Sequence, residues 1–519
     1  MTIKEEIIQI LKNISPNLDK LQIMEPELDK FGDYSTNLAF LLSKKEGKNP
    51  LDIAKEIKEK LEKNKKIFQK VEIASNGFIN LFLSQDYLKT KLDQIGKDFE
   101  KLKPKVKQKI QVEFISANPT GLLHLGHGRN AFYGDVLANV LSCAGHDVER
   151  EFYVNDAKES TQIKELGKSI LNKSDQYKSK YLDSKRKELE QEIQKLKNED
   201  SVGQFMAHQV LKDVKKLVSK LDIKFDNWFS EQSLYEDDSK AKLLKWLNEK
   251  DLTYKKDGAL WLKTSDFGDE KDRVIIRKTG NITYFLSDIL YHQDKIKRGF
   301  DKIINVWGSD HQGHEKRMQA LMKMLGFRGK LIIPIIQMLR LQTKDGPQKM
   351  SKRKGTVIEL EWLIDQVGKD VVRFMMISKD ISTQMVFDLE LAKERSEKNP
   401  VFYLQYALVR CKSILRKAGT FEEPNKSELL KEKEELALIK HLIKLPDLIK
   451  DVSQNYEIHH LTTYGINLAK KLHQFYKQHR VIDEKKQELT LARLSLVRAT
   501  ERVFEQLFDI LGIEKLEKM

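Results

Sequence analysis

With 519 residues, the chain exceeds the roughly 250–300 residues at which a single hydrophobic core stops growing, so two or three domains are expected. Its 40% hydrophobic and 33% charged residues exclude wholesale disorder, and a formal net charge of +15 favours a polyanionic partner such as nucleic acid, although a lysine-solvated surface gives the same balance. Two cysteines far apart, Cys143 and Cys411, exclude a disulfide framework and a cysteine zinc site, and no stretch approaches the ~20 apolar residues that span a bilayer, so a cytoplasmic protein without signal peptide or membrane association is expected.

Helical periodicity opens the chain at Ile3, Ile7, Ile10 and Leu11 and continues through Asn37–Lys45 and Asp52–Leu61 towards a strand-like Gly77–Leu83, which together predict a small α/β domain over residues 1–100. Lys101–Lys109, with five lysines around Pro104, reads as a linker. A new pattern of strand, glycine-containing turn and helix then begins: Ile110–Ser116, Asn118–Gly128, and an apolar run through Phe132, Val136, Val140 and Leu141. A second strand, Glu149–Val154, follows the turn at Gly145. This βαβ start predicts a parallel, doubly wound sheet domain over 108–387. A charged helical insertion is expected at about 164–245, with a Leu189, Ile193, Leu196 stripe; strand signals at Ala259–Leu262, Arg273–Arg277, Asp301–Trp307 and Leu331–Met338 resume the sheet. Beyond 388 the strands stop. Val401, Leu404, Leu408, Cys411 and Leu415 fall on one face of a helix that Gly419 can end, and 388–519 reads as all-α.

Two segments carry chemistry. Ser116–Gly128, containing His124-Leu125-Gly126-His127, lies where the first strand gives way to a helix, at the edge where parallel sheets bind ligands. Free amides at a helix start attract phosphate, imidazoles donate hydrogen bonds to it, and Gly126 lets a flat purine approach the backbone. Such a site suits adenylate transfer, in which a substrate carboxylate attacks the α-phosphate without a protein nucleophile. Two histidines on one turn can equally do no more than satisfy local hydrogen bonds; a zinc pair is disfavoured, because H-x-x-x-H spacing with an intervening glutamate is absent. The second segment, Lys349-Met350-Ser351-Lys352-Arg353-Lys354-Gly355, is a cationic loop able to close over a triphosphate, although alone such a cluster is usually only solvated.

Together these segments resemble the HIGH and KMSKS signatures of class I aminoacyl-tRNA synthetases. Three further stretches are similar to arginyl-tRNA synthetases in particular: Val112–Pro119 to V-E-x-S-x-N-P, Phe225–Tyr235 to F-D-x-W-F-S-E-x-S-L-Y, and Thr283–Tyr291 to T-Y-x-x-x-D-I-A-Y. Gly32–Asn37 and Gly77–Asn80 resemble that family's amino-terminal domain, and Asn399–Ala407 and Phe475–Val481 its anticodon-binding domain, so the resemblance covers nearly the whole chain.

The resemblance implies an α/β protein: a Rossmann-type parallel-sheet catalytic domain between a small N-terminal α/β domain and an all-α C-terminal anticodon-binding domain. It implies activation of L-arginine with ATP and Mg2+, with no zinc, followed by transfer to the 2′-hydroxyl of tRNA(Arg), the tRNA being bound before activation, by a cytoplasmic monomer. By the same resemblance His124, His127, Lys349 and Lys352 stabilise the transition state, and Gly126, Gly308, Asp310, His314, Met350 and Ser351 contact ATP. Glu113, Tyr284 and Asp288 surround the guanidinium, where forked carboxylate bonds reject lysine. Asn118 and Gln312 hold the α-amino or carboxylate end; Phe78 and Asn80 contact tRNA. The chain departs from the usual pattern at Leu125, where isoleucine is common, at Arg353, and at Phe78, where some relatives carry tyrosine and only stacking remains. A cysteinyl-tRNA synthetase would need cysteine zinc ligands. A tRNA-free nucleotidyltransferase would leave both flanking domains unexplained, and a noncatalytic RNA-binding descendant would be expected to have lost a signature.

Overall fold

The apolar run starting at Ile110 forms the central strand of a five-stranded sheet in this computed structural model, which describes every residue except 17–19, 27, 96–101, 103, 105, 159, 349–357 and 422–426. The chain divides into two compact units, one of Pro104–Arg395 with Glu457–His459, the other of Met1–Lys103, Ser396–Tyr456 and His460–Met519.

In the first unit, strands β1 (Lys109–Glu113), β2 (Asp147–Val154), β3 (Asn227–Ser230), β4 (Lys302–Asn305) and β5 (Lys330–Ile332) lie side by side in the order β5-β4-β1-β2-β3, all parallel. Ile110, Val112, Phe152, Ile303 and Ile304 are at most 1% exposed, as expected of strands covered on both faces. The strand order reverses between β1 and β4, and at such a switch point the carboxyl ends open a ligand crevice. Helix α1 (Leu125–Cys143) follows β1 and packs close because Gly134 faces the Phe114 ring: a Cβ at that position would stand 2.2 Å from it. Helix α2 (Tyr284–Lys297) precedes β4, and helix α3 (Glu315–Met324) links β4 to β5.

Two sequence expectations change here. Residues 227–230, inside the range read as a helical insertion, form the edge strand β3; four residues between charged helices are too short a signal to separate from them. Residues 259–262 and 273–276 do not resume the parallel sheet. With Thr253–Lys256 they form an antiparallel sheet of their own, started by a two-residue hairpin in which Asp257 and Gly258 both take positive φ, the twist that tight hairpins require. The helices Thr161–Ile170 and Glu199–Lys220 meet at Gly167 and Gly203, where a Cβ on either would fall 1.8 or 2.0 Å from the other's backbone. The Leu189, Ile193, Leu196 stripe does not form one helix: Leu189 sits in the break between two short helices, Leu196 lies past the second, and only Ile193 is helical and buried.

The second unit joins the two ends of the chain. A four-stranded antiparallel sheet (Ile23–Met24, Tyr34–Thr36, Ile79–Leu83, Phe68–Ile73) carries helices at Ile3–Ile14, Leu38–Glu46, Pro50–Leu61 and Gln85–Leu92. The remainder is helical: Pro400–Ala418, Lys433–Leu442, Leu445–Asn455, His459–Gln478 and Gln487–Leu511. The helix Pro400–Ala418 buries Val401, Leu404, Leu408, Cys411 and Leu415 and stops at Gly419, whose φ of 74° suits glycine. Asp447 ties the ends together by accepting hydrogen bonds from the Tyr34 hydroxyl and the Lys4 amide at 3.1 Å, and Lys440 pairs with Asp33 at 2.8 Å.

Candidate active site

The histidine turn caps α1. Each imidazole folds back on the helix start: His124 Nδ1 accepts from the Gly126 amide at 3.1 Å, and His127 Nδ1 accepts from the His124 amide at 3.2 Å. With Nδ1 accepting, a neutral ring carries its proton on Nε2, so both side chains are set as donors. The rings stack at 3.6 Å. The neighbour that a Cβ at Gly126 would crowd is the His124 ring, at 3.0 Å, so the glycine makes room for the cap. Two backbone bonds, Leu125 N to Ile358 O at 3.2 Å and Leu360 N to Leu123 O at 2.8 Å, fasten the turn to a segment far along the chain. Arg129, 1% exposed, anchors the next helical turn on the carbonyls of Gln337, Asp380 and Thr383.

Below the crevice a row of polar residues crosses the sheet. Asn305, Glu113, Glu151 and Asn227 stand in register on β4, β1, β2 and β3. Glu113 pairs with Lys295 Nζ at 2.6 Å and accepts from Ser116 Oγ at 2.9 Å. Glu151, wholly buried, accepts from Gln111, Asn227, Tyr291 and Arg298. The Tyr291 hydroxyl stands between the two glutamates. Beyond β1 the chain turns through Ile115 and Ser116 at φ 65° and 39°, costly for side-chain-bearing residues. Asn130 holds this turn, accepting from the Ile115 amide at 2.6 Å and donating to the Val306 carbonyl at 2.9 Å.

Asp288 and Glu231 complete an acidic pocket. Burial, reinforced by Glu231 and Glu113, pushes the Asp288 carboxyl up to about 7. Burial likewise raises Glu231 to about 7, Asp156 adding to the shift while the Ser287 and Tyr153 hydroxyls oppose it. Neither forms an ion pair with another described residue, and Glu231 Oε2 has no hydrogen-bond partner among them. Carboxyls placed so poorly for themselves suit a cationic ligand. Glu231 lies within the Phe225–Tyr235 stretch, in a short 3-10 turn just past the end of β3, where the sequence pattern carries no signal that sets it apart.

The other predicted residues are more open. Tyr284, 46% exposed, starts α2 and donates to Gln162 Oε1 at 2.7 Å; Asn118 is exposed and accepts from Asn155 at 3.0 Å. Gly308 lies beneath the Asp310 carboxylate, where a Cβ would come within 2.6 Å, and Asp310, Gln312 and His314 are exposed on the turn before α3. Lys349, Met350, Ser351 and Lys352 lie outside the described residues. In the other unit, Phe78 stacks edge-on against Phe40 at 5.1 Å just before the strand Ile79–Leu83, and Asn80 is buried within it. Among the described residues no three His, Cys, Asp or Glu side chains gather as a metal site.

A histidine-capped helix at the switch point of a parallel sheet, with raised carboxyls along the same edge, fits the class I aminoacyl-tRNA synthetases. The family profile described as tRNA synthetases class I (R), catalytic domain, matches residues 91–386; the arginyl tRNA synthetase N terminal domain matches 1–83 and the DALR anticodon binding domain 404–519. The chain is 39% identical to the arginine–tRNA ligase of Oceanobacillus iheyensis, covering 96% of this chain and 94% of that one. It is 36% identical to that of Aquifex aeolicus, covering 100% and 99%. The chain belongs to the arginyl-tRNA synthetases. Its fold is shared with Thermus thermophilus arginyl-tRNA synthetase at a TM-score of 0.78 and 22% identity, covering 100% and 99% of the two chains.

Proposed function

We propose that the crevice above β1 and β4 performs the arginine–tRNA ligase reaction with the following division of labour. The observation that carries this reading is the acidic pair: Asp288 and Glu231 come from separate elements, stay raised to about 7 although the charges of Arg317 and Lys295 act on Asp288, and Glu231 stands with the histidine-capped helix start at the carboxyl edge of the sheet. A guanidinium supplies the paired donors that two carboxylates can accept, and an ammonium does not reproduce that fork. Tyr284 flanks the pocket, and Asn118 and Gln312 hold the α-amino and carboxylate end. Glu113, already engaged by Lys295, serves the pocket from below.

An oxygen of the arginine carboxylate attacks the α-phosphorus of ATP, taken up as its magnesium complex, and pyrophosphate leaves. The α1 amino terminus and the Nε2 donors of His124 and His127 stabilise the charge that develops on the phosphate. Gly308, Asp310 and His314 border the nucleotide together with Gly126, Met350 and Ser351, while Lys349 and Lys352 draw the leaving pyrophosphate. In the second step the 2′-hydroxyl of the terminal adenosine of tRNA(Arg) attacks the arginyl carbonyl, AMP departs, and the hydroxyl proton is lost. No covalent enzyme intermediate forms.

The second unit offers surfaces for the tRNA. Arg410 lies over the rings of Tyr406 and Tyr476, at 5.1 Å from each, and Tyr406 stacks on His473; cation and ring together suit unstacked bases. Phe78, only partly buried, is assigned to a second tRNA contact; Asn80, buried in the strand Ile79–Leu83, can serve that surface only from within. The enzyme is placed in the cytoplasm as a zinc-free monomer, where Cys143 and Cys411 remain thiols. The deciding experiment is aminoacylation of purified tRNA with arginine, lysine and citrulline, alongside ATP–pyrophosphate exchange with and without tRNA. Charging by arginine alone is expected; exchange driven equally by lysine or citrulline would overturn the pocket assignment.

A further inference from the structure

Under the acidic pocket lies a cation that the two reaction steps do not consume. The Lys295 side chain is 0% exposed. Its Nζ donates to Glu113 Oε2 at 2.6 Å and to Asn305 Oδ1 at 2.8 Å, and stands 4.2 Å from the centre of the Tyr291 ring. Two of its three hydrogens are thus fixed, and the aromatic face favours the charge.

The surrounding bonds leave that arrangement little freedom. Burial, with Lys295 adding to it, pushes His292 down to about 3, so the ring is neutral. Its Nδ1–H donates to the Asp288 carbonyl at 2.8 Å, and its Nε2 accepts from Asn305 Nδ2 at 3.0 Å. Asn305 can therefore present only its oxygen to Lys295. The other oxygen of Glu113 takes the Ser116 hydroxyl, and Tyr291 gives its single proton to the space between Glu113 and Glu151. Asp288, Tyr291, His292 and Lys295 recur along one face of α2, so the helix that supplies the substrate carboxylate also supplies the lysine.

We propose that Lys295 is a positioning residue for amino-acid selection: by holding Glu113 as an engaged carboxylate, it leaves Asp288 and Glu231 as the pair that receives the substrate's guanidinium. Without it Glu113 would keep only its hydrogen bonds from Ser116 and Tyr291 and would compete with Asp288 and Glu231 for the guanidinium, so that the substrate would bind in more than one pose. This inference rests on the arginine reading of the pocket.

The test is a kinetic cycle on the full-length enzyme with Lys295→Met, Glu113→Gln and the double variant. Lys295→Met should raise the KM for arginine by about tenfold or more while the KM for ATP stays within about twofold. Because Lys295 acts through Glu113, the double variant should match Glu113→Gln in arginine KM rather than add to it. An unchanged arginine KM in Lys295→Met, equal rises for arginine and ATP, or additive losses in the double variant would each overturn the proposal. If Lys295→Met does not fold, the double variant, which buries no unpaired charge, carries the comparison with Glu113→Gln. A wild-type enzyme that fails to charge arginine would instead remove the arginine reading, and with it the premise.

Discussion

At the scale of single residues, the site is governed by which carboxylates have partners. Asp288 and Glu231, both raised to about 7, hold protons in the folded, empty enzyme that an unfolded chain releases nearer 4. The stability they contribute is therefore present at low pH and falls as pH rises from about 4 through about 7. Arginine needs both groups charged, so its binding should strengthen over the upper part of that window. In thermal melts, the rise in Tm caused by saturating arginine should be larger at pH 8 than at pH 6, and equal increments would contradict the pocket. Asp288→Asn should raise arginine KM by about ten- to a hundredfold with a smaller effect on kcat, as expected for a binding contact. His124→Ala should do the reverse, lowering the rate of pyrophosphate exchange while arginine KM changes little.

These residues were unequally legible. His124, His127 and Asp288 stood out because the stretches that carry them resemble family signatures; the spacing of the two histidines alone leaves a purely local role equally open. Glu231 sits in a short irregular stretch where periodicity carries no information. Lys295 stands beside Lys297 and Arg298, and among basic residues at a helix end a buried one looks like its solvated neighbours. The signal that separates it is its place three and four residues after His292 and Tyr291, on the face that carries Asp288.

At the scale of elements, close approach depends on missing side chains. Helix α1 can bring its capped start to the crevice only because Gly134 lets it settle against Phe114. Gly134→Ala should cost about 1–3 kcal/mol in denaturant unfolding, since the ring is packed and cannot yield freely. It should also lower pyrophosphate exchange beyond what the stability loss explains, by lifting the histidines. A normal exchange rate in a destabilised variant would separate the packing from the site. The parallel sheet was foreseeable from β1, α1 and β2, whose strands are long or apolar enough to stand out. Edge strand β3 was not, because its residues are all only partly buried and read like the polar segments around them. The three-stranded antiparallel sheet had one clear mark, Asp257-Gly258, but strand pairing partners are set by tertiary packing, which a local pattern does not contain.

At the scale of the whole molecule, the first and last parts of the chain share one unit, joined through buried polar contacts. Burial raises Asp447 to about 6, and the Tyr34 hydroxyl, 0% exposed, donates to it. Tyr34→Phe removes that donor and should lower the stability of the unit by about 1–3 kcal/mol, read by chemical denaturation. No reading of the sequence pairs Tyr34 with Asp447, because contacts between remote segments leave no local signature. The same limit concealed the stitching of Leu123 and Leu125 to Ile358 and Leu360. That stitching has an optical consequence. Trp362, 41% exposed, lies two residues past Leu360, so a displacement of the histidine turn is handed directly to an indole. With the other four tryptophans replaced by phenylalanine, its emission should respond to ATP, and the response should vanish when His124 and His127 are both alanine, giving the enzyme a built-in fluorescent gauge of its own nucleotide site.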